Sequence, residues 1–402
     1  MFLRIRRGSV SSAEVPEPAG TLVRMSRRLR VAWLGQRAAG KGDGLTVYSR
    51  EVTRGLRARG VEVVFVHHDA ASGGAGSVGL PALSVAGTWR IAAPGARRRL
   101  REALRRRSVD LVHVSLSFSS LDFGLPELCR ELGVPLVATL HAPFDLRLTR
   151  WGRLSQMLYR IYAHPLSNFD RVVVFGPEQE RLLTGMGVPD ELVRVIPNGV
   201  DVQRFSVGAS EVGARFEGDR LFLYLGRLAP EKNVDLLLDA FCDAAPPSGV
   251  RLAVAGSGSL RGRLERRYRD PRITFLGLVA DEGERIGLLR SAEAFFLPSA
   301  IEGLSLALLE AMACGCCPVA TDVGCDRDAV SGVGISLDPQ NLSADLRFAL
   351  RLLSDTPSLA RELGAQARER AVNRYSLTAN LDALLGMYHE LLGARALDGA
   401  AS

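Results

Sequence analysis

Short runs of β-branched and aromatic residues recur along the chain, each followed by a glycine-containing turn and a longer stretch with helical spacing. The pattern predicts strands over residues 29–34, 61–66, 111–114, 135–140 and 171–175. After a break it resumes at 221–225, 251–255, 273–276, 294–297 and 317–320. Amphipathic helices are predicted between them at 47–59, 96–107, 178–186 and 234–241. Strands alternating with helices build parallel sheets, which places the chain in the α/β class.

The pattern also restarts. Residues 30–59 read strand, glycine turn, helix, and residues 221–241 read the same way again. Between them, Ile196-Pro197-Asn198-Gly199 and residues 205–218 supply turn formers and little periodicity, so a linker is expected near 205–219. The expected division is a doubly wound domain over 29–205, a second over 206–375, and a last segment 376–402 whose amphipathic helix covers 377–392. Residues 1–28 lack periodicity and are expected to be a disordered basic leader, with Met25 as an alternative start beside the first strand.

A length of 402 residues fits two or three domains, with a core that needs no disulfide or metal support. The 47% hydrophobic and 24% charged residues exclude wholesale disorder, and no apolar run reaches the roughly 18 residues of a membrane span. Six cysteines, four of them within residues 314–325, do not look like a disulfide framework, so a reducing cytoplasm is the expected location. The net charge of +7 is unevenly spread. Residues 29–205 carry 24 Lys and Arg against 16 Asp and Glu, whereas residues 206–402 carry 21 against 26. One half is therefore suited to an anionic surface or substrate. No recognition motif for nucleic acid accompanies the charge. Only Lys41 and Lys232 are lysine among the 51 basic residues, which singles both out.

Gly35-Gln-Arg-Ala-Ala-Gly40-Lys41 matches most of a phosphate-binding P-loop, but Gly42 stands where a hydroxyl must meet magnesium. A P-loop NTPase is thus a remote alternative. Gly256-Ser-Gly258 after a strand indicates only that backbone approaches something closely there.

The richest stretch runs from Leu297 to Thr321. Ser305 is placed to cap a helix reaching about Ala313, with Gly315 closing it. Glu310 is the one charge between Gly303 and Ala320, and a carboxylate in so apolar a helix needs donors. Ribose hydroxyls would serve, as would an arginine from elsewhere in the chain. Glu302 precedes the helix, whose N-terminus offers free N–H groups and a positive dipole end for phosphate. A second stretch, Tyr224-Leu-Gly226-Arg227-Leu-Ala-Pro-Glu231-Lys232-Asn233, sets two cations around a turn at a strand end. It is either a diphosphate site or an ordinary polar loop in which Lys232 pairs with Glu231 or faces solvent.

Taken together, G-R-L-x-x-E-K-N, G-S-G, F-L-G and P-S-x-x-E-G-x-x-x-x-x-L-E-A-M-A-C-G resemble glycosyltransferase family 4. The likeness is most specific over residues 221–324. It continues through Gly44 and Tyr48, Thr139-Leu-His141, and Val195-Ile-Pro-Asn-Gly-Val-Asp201 with Phe205. The resemblance implies a GT-B fold, two Rossmann-like domains facing across a cleft, and a closing helix that packs back on the first domain. It implies a retaining transferase for a hexose-type sugar from a nucleoside diphosphate sugar, in glycan or cell-envelope synthesis, with a glycan, lipid-linked or small-molecule acceptor. By matching position, Gly226, Arg227 and Lys232 would bind the diphosphate, and Glu302, Gly303, Leu304 and Ser305 the sugar and phosphates. Glu310 would hold the ribose. Gly256, Gly258, Leu276 and Gly277 would line the base, and Gly44 would let phosphate and acceptor approach. Tyr48 and His141 fall on the acceptor side, with His141, Glu302, Arg227 and Lys232 as the catalytic set. No metal or separate cofactor is implied, because Arg227, Lys232 and the helix dipole neutralise the leaving diphosphate. A non-catalytic nucleotide-sugar-binding protein of the same fold is the alternative.

Some features depart from the family pattern. Gly324-Cys325 stands where two glycines are usual, and Asp326-Arg-Asp328 is read as a coincidental D-x-D rather than a metal site. Cys314, Cys316, Cys317 and Cys325 lack paired zinc spacing and are expected to be buried thiols. His67 and His68 carry no motif and are read as surface residues. Two basic amphipathic stretches, 97–107 and 147–160, are either solvated arginine faces or a peripheral contact with anionic lipid on the inner membrane face.

Overall fold

The computed structural model describes residues 28–36, 44–69, 76–84, 90–116, 119–147, 149–216 and 218–400. Residues 1–27 of the expected leader, with Lys41 and Gly42 of the P-loop-like run, lie outside the described residues.

The chain opens with β1 (Arg30–Leu34), α1 (Gly44–Ala58), β2 (Glu62–His67) and β3 (Ser77–Gly79). A small antiparallel hairpin follows, β4 (Ala82–Ser84) with β5 (Arg90–Ala92). Next come α2 (Ala96–Arg106), β6 (Leu111–Ser115), α3 (Leu125–Leu132) and β7 (Leu136–Thr139). The half closes with α4 (Arg150–Leu166), β8 (Arg171–Val174), α5 (Pro177–Thr184) and β9 (Val193–Val195). Seven strands form one parallel sheet in the order β3-β2-β1-β6-β7-β8-β9. A strand such as Leu111-Val-His-Val-Ser115, buried at every position, needs cover on both faces. Helices α2 to α5 cover one face through Leu100, Leu125, Tyr159 and Leu183. Tyr48, Val52 and Leu56 of α1 cover the other.

The second half contains β10 (Arg220–Leu225), α6 (Val234–Ala244), β11 (Val250–Ala255), α7 (Arg261–Arg267), β12 (Ile273–Gly277) and α8 (Glu282–Ser291). It continues with β13 (Ala292–Leu297), α9 (Leu306–Ala313), β14 (Cys317–Thr321), α10 (Asp326–Val330) and β15 (Ile335–Leu337). The helices α11 (Leu342–Asp355), α12 (Pro357–Arg374) and α13 (Leu377–Ala400) end the chain. Its six strands also pair in one sheet, ordered β12-β11-β10-β13-β14-β15.

The last helix returns to the first sheet. Leu381, Leu384, Tyr388 and Leu391 of α13 pack on Val31, Trp33 and the inner face of α1. At the crossing the outgoing and returning segments lie side by side. Val200 donates to the Tyr375 carbonyl and Leu377 donates to the Val200 carbonyl, both at 2.8 Å. A Cβ on Gly199 would stand 2.6 Å from Leu377 Cα, so only glycine fits there.

The segment after Phe205, where a linker is expected, is packed against its neighbours. Phe205 and Phe216 are buried, Arg290 donates to the Ser206 carbonyl at 2.8 Å, and the turn Glu211–Phe216 rests on α8. His67 is not a surface residue: as the last residue of β2 it is buried, and His68 is half-buried with its pKa lowered to about 4, chiefly by desolvation.

Candidate active site

In parallel sheets the loops leaving the carboxyl ends of the strands form the ligand-binding edge. Here those loops meet across the two halves. The loop after β13 carries Glu302 and leads into α9, where the Ser305 hydroxyl caps the helix by accepting from Leu308 N–H. Across the cleft, Phe144 N–H donates to the Glu302 carbonyl at 3.2 Å. A Cβ built on Gly303 would lie 3.5 Å from the His141 carbonyl. The Asn198 side chain donates to the Leu304 carbonyl at 2.8 Å. Glu302, Gly303, Leu304 and His141 are thus brought together.

The cations after β10 separate. Lys232 ion-pairs with Glu302, and both side chains are largely buried. Arg227 is exposed and pairs with Glu231 at 2.9 Å. The bland pairing of Lys232 with Glu231 is therefore not the one that forms. Asn233 takes a left-handed conformation and donates to the Pro298 carbonyl at 2.9 Å, which ties this loop to the one bearing Glu302.

The glycines of this edge serve close approach. Gly256 has φ +149, and a Cβ there would stand 1.8 Å from the Gly226 carbonyl oxygen. A Cβ on Gly258 would meet the Leu228 carbonyl at 2.2 Å. The G-S-G turn is thereby pressed against the 226–228 loop. Gly277, at φ +71, accepts from Gly256 N–H, and Leu276 beside it is half-buried. Gly44 is the first residue of α1, with open space where a Cβ would be.

The two polar departures are structural. Asp326 is buried and accepts from Ser305 N–H at 2.7 Å, holding the turn into α9, while burial and neighbouring Glu302 push its pKa up. Cys325 presents its thiol to Gly176 of the first half, so the altered loop spans the halves there. Cys314, Cys316, Cys317 and Cys325 are buried free thiols.

In the first half, His141 Nε2 lies 2.9 Å from Ser115 Oγ, and its ring meets Tyr48 and Phe175 edge-on at 4.5 and 5.1 Å. Burial draws the pKa of His141 down to about 3, so the imidazole is neutral near pH 7. It can hydrogen-bond to a ligand but does not carry a charge to it. Tyr48 is buried with its hydroxyl 3.5 Å from Thr139 Oγ1, which leads to His113 Nε2 at 2.7 Å. His113 Nδ1 in turn lies 2.5 Å from the Tyr388 hydroxyl of α13.

Glu310 sits buried on α9 with its Oε1 3.4 Å from Arg285 Nη2. Desolvation raises its pKa to about 7, against the downward pull of Arg285 and Arg204. An arginine from elsewhere does therefore reach this carboxylate. The sequence did not single out Arg285, Arg204, Glu51, Ser115 or His113. A signal existed for His113 and Ser115, since both interrupt an otherwise apolar buried strand.

Residues 42–204 match the model of Glycosyltransferase Family 4 and residues 219–355 that of Glycosyl transferases group 1. A Mycobacterium tuberculosis glycogen synthase is 31% identical over 259 residues, covering 60% of this chain and 60% of that protein. A GDP-mannose-dependent alpha-mannosyltransferase of the same organism is 30% identical over 311 residues, covering 75% of this chain and 78% of that protein. Among solved structures, Anabaena HepE in complex with UDP and glucose superposes with a TM-score of 0.73 at 18% identity, covering 90% of this chain and all of that one. Two facing parallel-sheet halves of this kind are the GT-B fold, and the chain belongs to glycosyltransferase family 4.

Proposed function

We propose that the chain is a retaining glycosyltransferase that moves a hexose-type sugar from a nucleoside diphosphate to a lipid-linked acceptor. The observation that carries this reading is the convergence of Lys232, Glu302 and the N-terminus of α9 opposite His141. An ammonium has three donors, so Lys232 can keep Glu302 and still meet a phosphate oxygen. With Arg227 and the helix dipole it would neutralise the leaving diphosphate without a metal. The bond from the anomeric carbon to the diphosphate oxygen breaks, and the acceptor oxygen bonds to the same face. The acceptor proton passes to the departing phosphate oxygen, so no separate base is needed. The GDP-mannose named for the mannosyltransferase relative and the complex of HepE with UDP-glucose support the donor class.

The test is turnover with UDP-, GDP-, ADP- and dTDP-sugars in EDTA, with product anomers read by NMR. Inverted product, or turnover that returns only on adding a divalent ion, would overturn the mechanism. Nucleotide-sugar binding with no transfer to any acceptor would favour the non-catalytic reading.

A lipid-linked acceptor is favoured by α4. Leu154, Met157 and Ile161 form an exposed stripe, and Arg150, Arg153 and Arg160 make no ion pair among the described residues. The helix contains no acidic residue. A pocket of about 580 Å³ between α4 and α5 adjoins it, with Leu146, Leu182, Met186, Arg160, Arg181 and Glu178 in its lining. An apolar stripe edged with arginine suits an anionic bilayer surface. The other basic stretch, on α2, is partly neutralised: Arg97 pairs with Glu127 and Glu131, and Arg101 with Glu131.

A further inference from the structure

Five side chains of alternating charge run through the junction between the halves. Glu310 of α9 faces Arg285 Nη2, which also lies 3.5 Å from Glu282 of α8. Glu282 lies 3.2 Å from Arg204 in the segment that crosses between the halves. Arg204 reaches Glu51 of α1 at 2.6 Å. The Phe205 ring packs against both guanidinium groups, with centroid distances of 5.5 Å to Arg285 and 5.3 Å to Arg204.

We propose that Arg285 is a positioning residue for the nucleoside: it holds one oxygen of Glu310 as a carboxylate and leaves the other to accept from ribose hydroxyls. The proposal rests on the reading that Glu310 meets the ribose. Three observations favour it over a purely structural ion pair. Arg285 comes no closer to Glu310 than 3.4 Å, between Nη2 and Oε1, too long for a tight bidentate fork. Its Nη2 is shared with Glu282, and its Nε is buried without a hydrogen-bond partner. Phe205 and Glu282 fix the guanidinium from the side, so its position does not depend on Glu310.

The charged groups facing Glu310 are Arg285 and Glu282 from α8, Arg204 from the crossing segment and Glu51 from α1. Burial raises the Glu310 pKa to about 7, and Arg285 is the largest opposing influence. Losing Arg285 therefore moves the titration further upward and leaves a neutral carboxyl at pH 7. A neutral carboxyl is a weaker acceptor for hydroxyl donors than a carboxylate.

The test compares calorimetric binding of UDP and GDP with that of their 2′,3′-dideoxy counterparts, in wild type, Arg285→Met and Arg285→Lys, from pH 6 to 9. In Arg285→Met, ribonucleotide affinity is expected to fall about tenfold at pH 7 and to recover toward pH 9, in line with the loss of a charge-assisted hydrogen bond. Dideoxynucleotide affinity should match wild type, and Arg285→Lys should restore both affinity and pH profile. A loss equal for ribo and dideoxy nucleotides, or flat with pH, would overturn the role of Arg285. Wild-type protein that binds both nucleotide classes alike would instead overturn the ribose reading of Glu310, and the proposal with it. If Arg285→Met does not fold, a wild-type pH profile in Arg285→Lys sustains the proposal and a displaced one defeats it.

Discussion

Lys232 and Glu302 form an ion pair that joins the loop after β10 to the loop after β13. Both side chains are largely shielded from water, so removing either leaves the other poorly compensated. The two removals should differ in kind. Lys232→Ala takes away a cation that would meet the diphosphate, and turnover is expected to drop by about 10²–10³-fold, the loss typical of one transition-state donor. Glu302→Gln should also lower turnover but leave nucleoside diphosphate affinity equal or tighter, because it frees the ammonium. Steady-state kinetics and calorimetry, with circular dichroism to confirm folding, separate these outcomes. Near-normal turnover in both variants would defeat the assignment.

The contact between Tyr388 and His113 gives a prediction about stability. The Tyr388 hydroxyl lies 2.5 Å from His113 Nδ1, and both residues are fully buried. Tyr388→Phe keeps the ring against Trp33 and Leu56 but strands a buried imidazole nitrogen. The cost should be about 1–3 kcal/mol, the penalty for an unmet buried polar group. Urea unfolding should show a lower midpoint with an unchanged slope. An unaltered midpoint would mean that water or the other tautomer satisfies His113.

Much of this arrangement was legible before the structure. The ten strands predicted from apolar runs all occur, because a parallel strand covered on both faces must be apolar along its length. Ser305, Gly315 and the apolar run between them gave α9 nearly to the residue. Strands β3, β4, β5, β9 and β15 escaped because three residues carry no usable period. The charge run from Glu310 to Glu51 was illegible for another reason. Its members come from α9, α8, the crossing segment and α1, so only the folded chain juxtaposes them. The Lys232–Glu302 pair is hidden in the same way, because the sequence marks each residue but not their meeting.

Acidification should weaken the fold through its buried histidines. Burial lowers His113 and His141 from 6.5 to about 3, so the unfolded chain binds more protons than the folded one between those values. Their contribution is complete above pH 6.5 and is lost as pH falls toward 3. Glu310 acts in the opposite sense. Its pKa is raised from 4.5 to about 7, so its contribution is present below 4.5 and is lost as pH rises through 7. Denaturant midpoints between pH 5 and 8 should therefore fall less on acidification in His113→Gln than in wild type. Glu310→Gln should gain stability relative to wild type as pH rises from 5 to 8. Parallel profiles for wild type and both variants would show that these groups titrate normally.

The exposed face of α4 supplies the last prediction. Leu154, Met157 and Ile161 are 47%, 56% and 40% exposed, an unusual outlay of apolar surface on one helix, with Arg150, Arg153 and Arg160 beside them. Each arginine near an anionic surface contributes about 1 kcal/mol, so replacing all three with alanine should lower partition onto phosphatidylglycerol-containing vesicles roughly a hundredfold at low salt. Met157→Asp should abolish the apolar part of binding and leave the salt dependence in place. Since α4 lies outside the cleft that holds Lys232 and Glu302, nucleotide binding should be unaffected in all of these variants. Co-sedimentation with vesicles of phosphatidylcholine alone, and with added phosphatidylglycerol, reads both effects. Wild-type protein that ignores both vesicle types, or binds them equally, would show that the stripe meets something other than an anionic membrane.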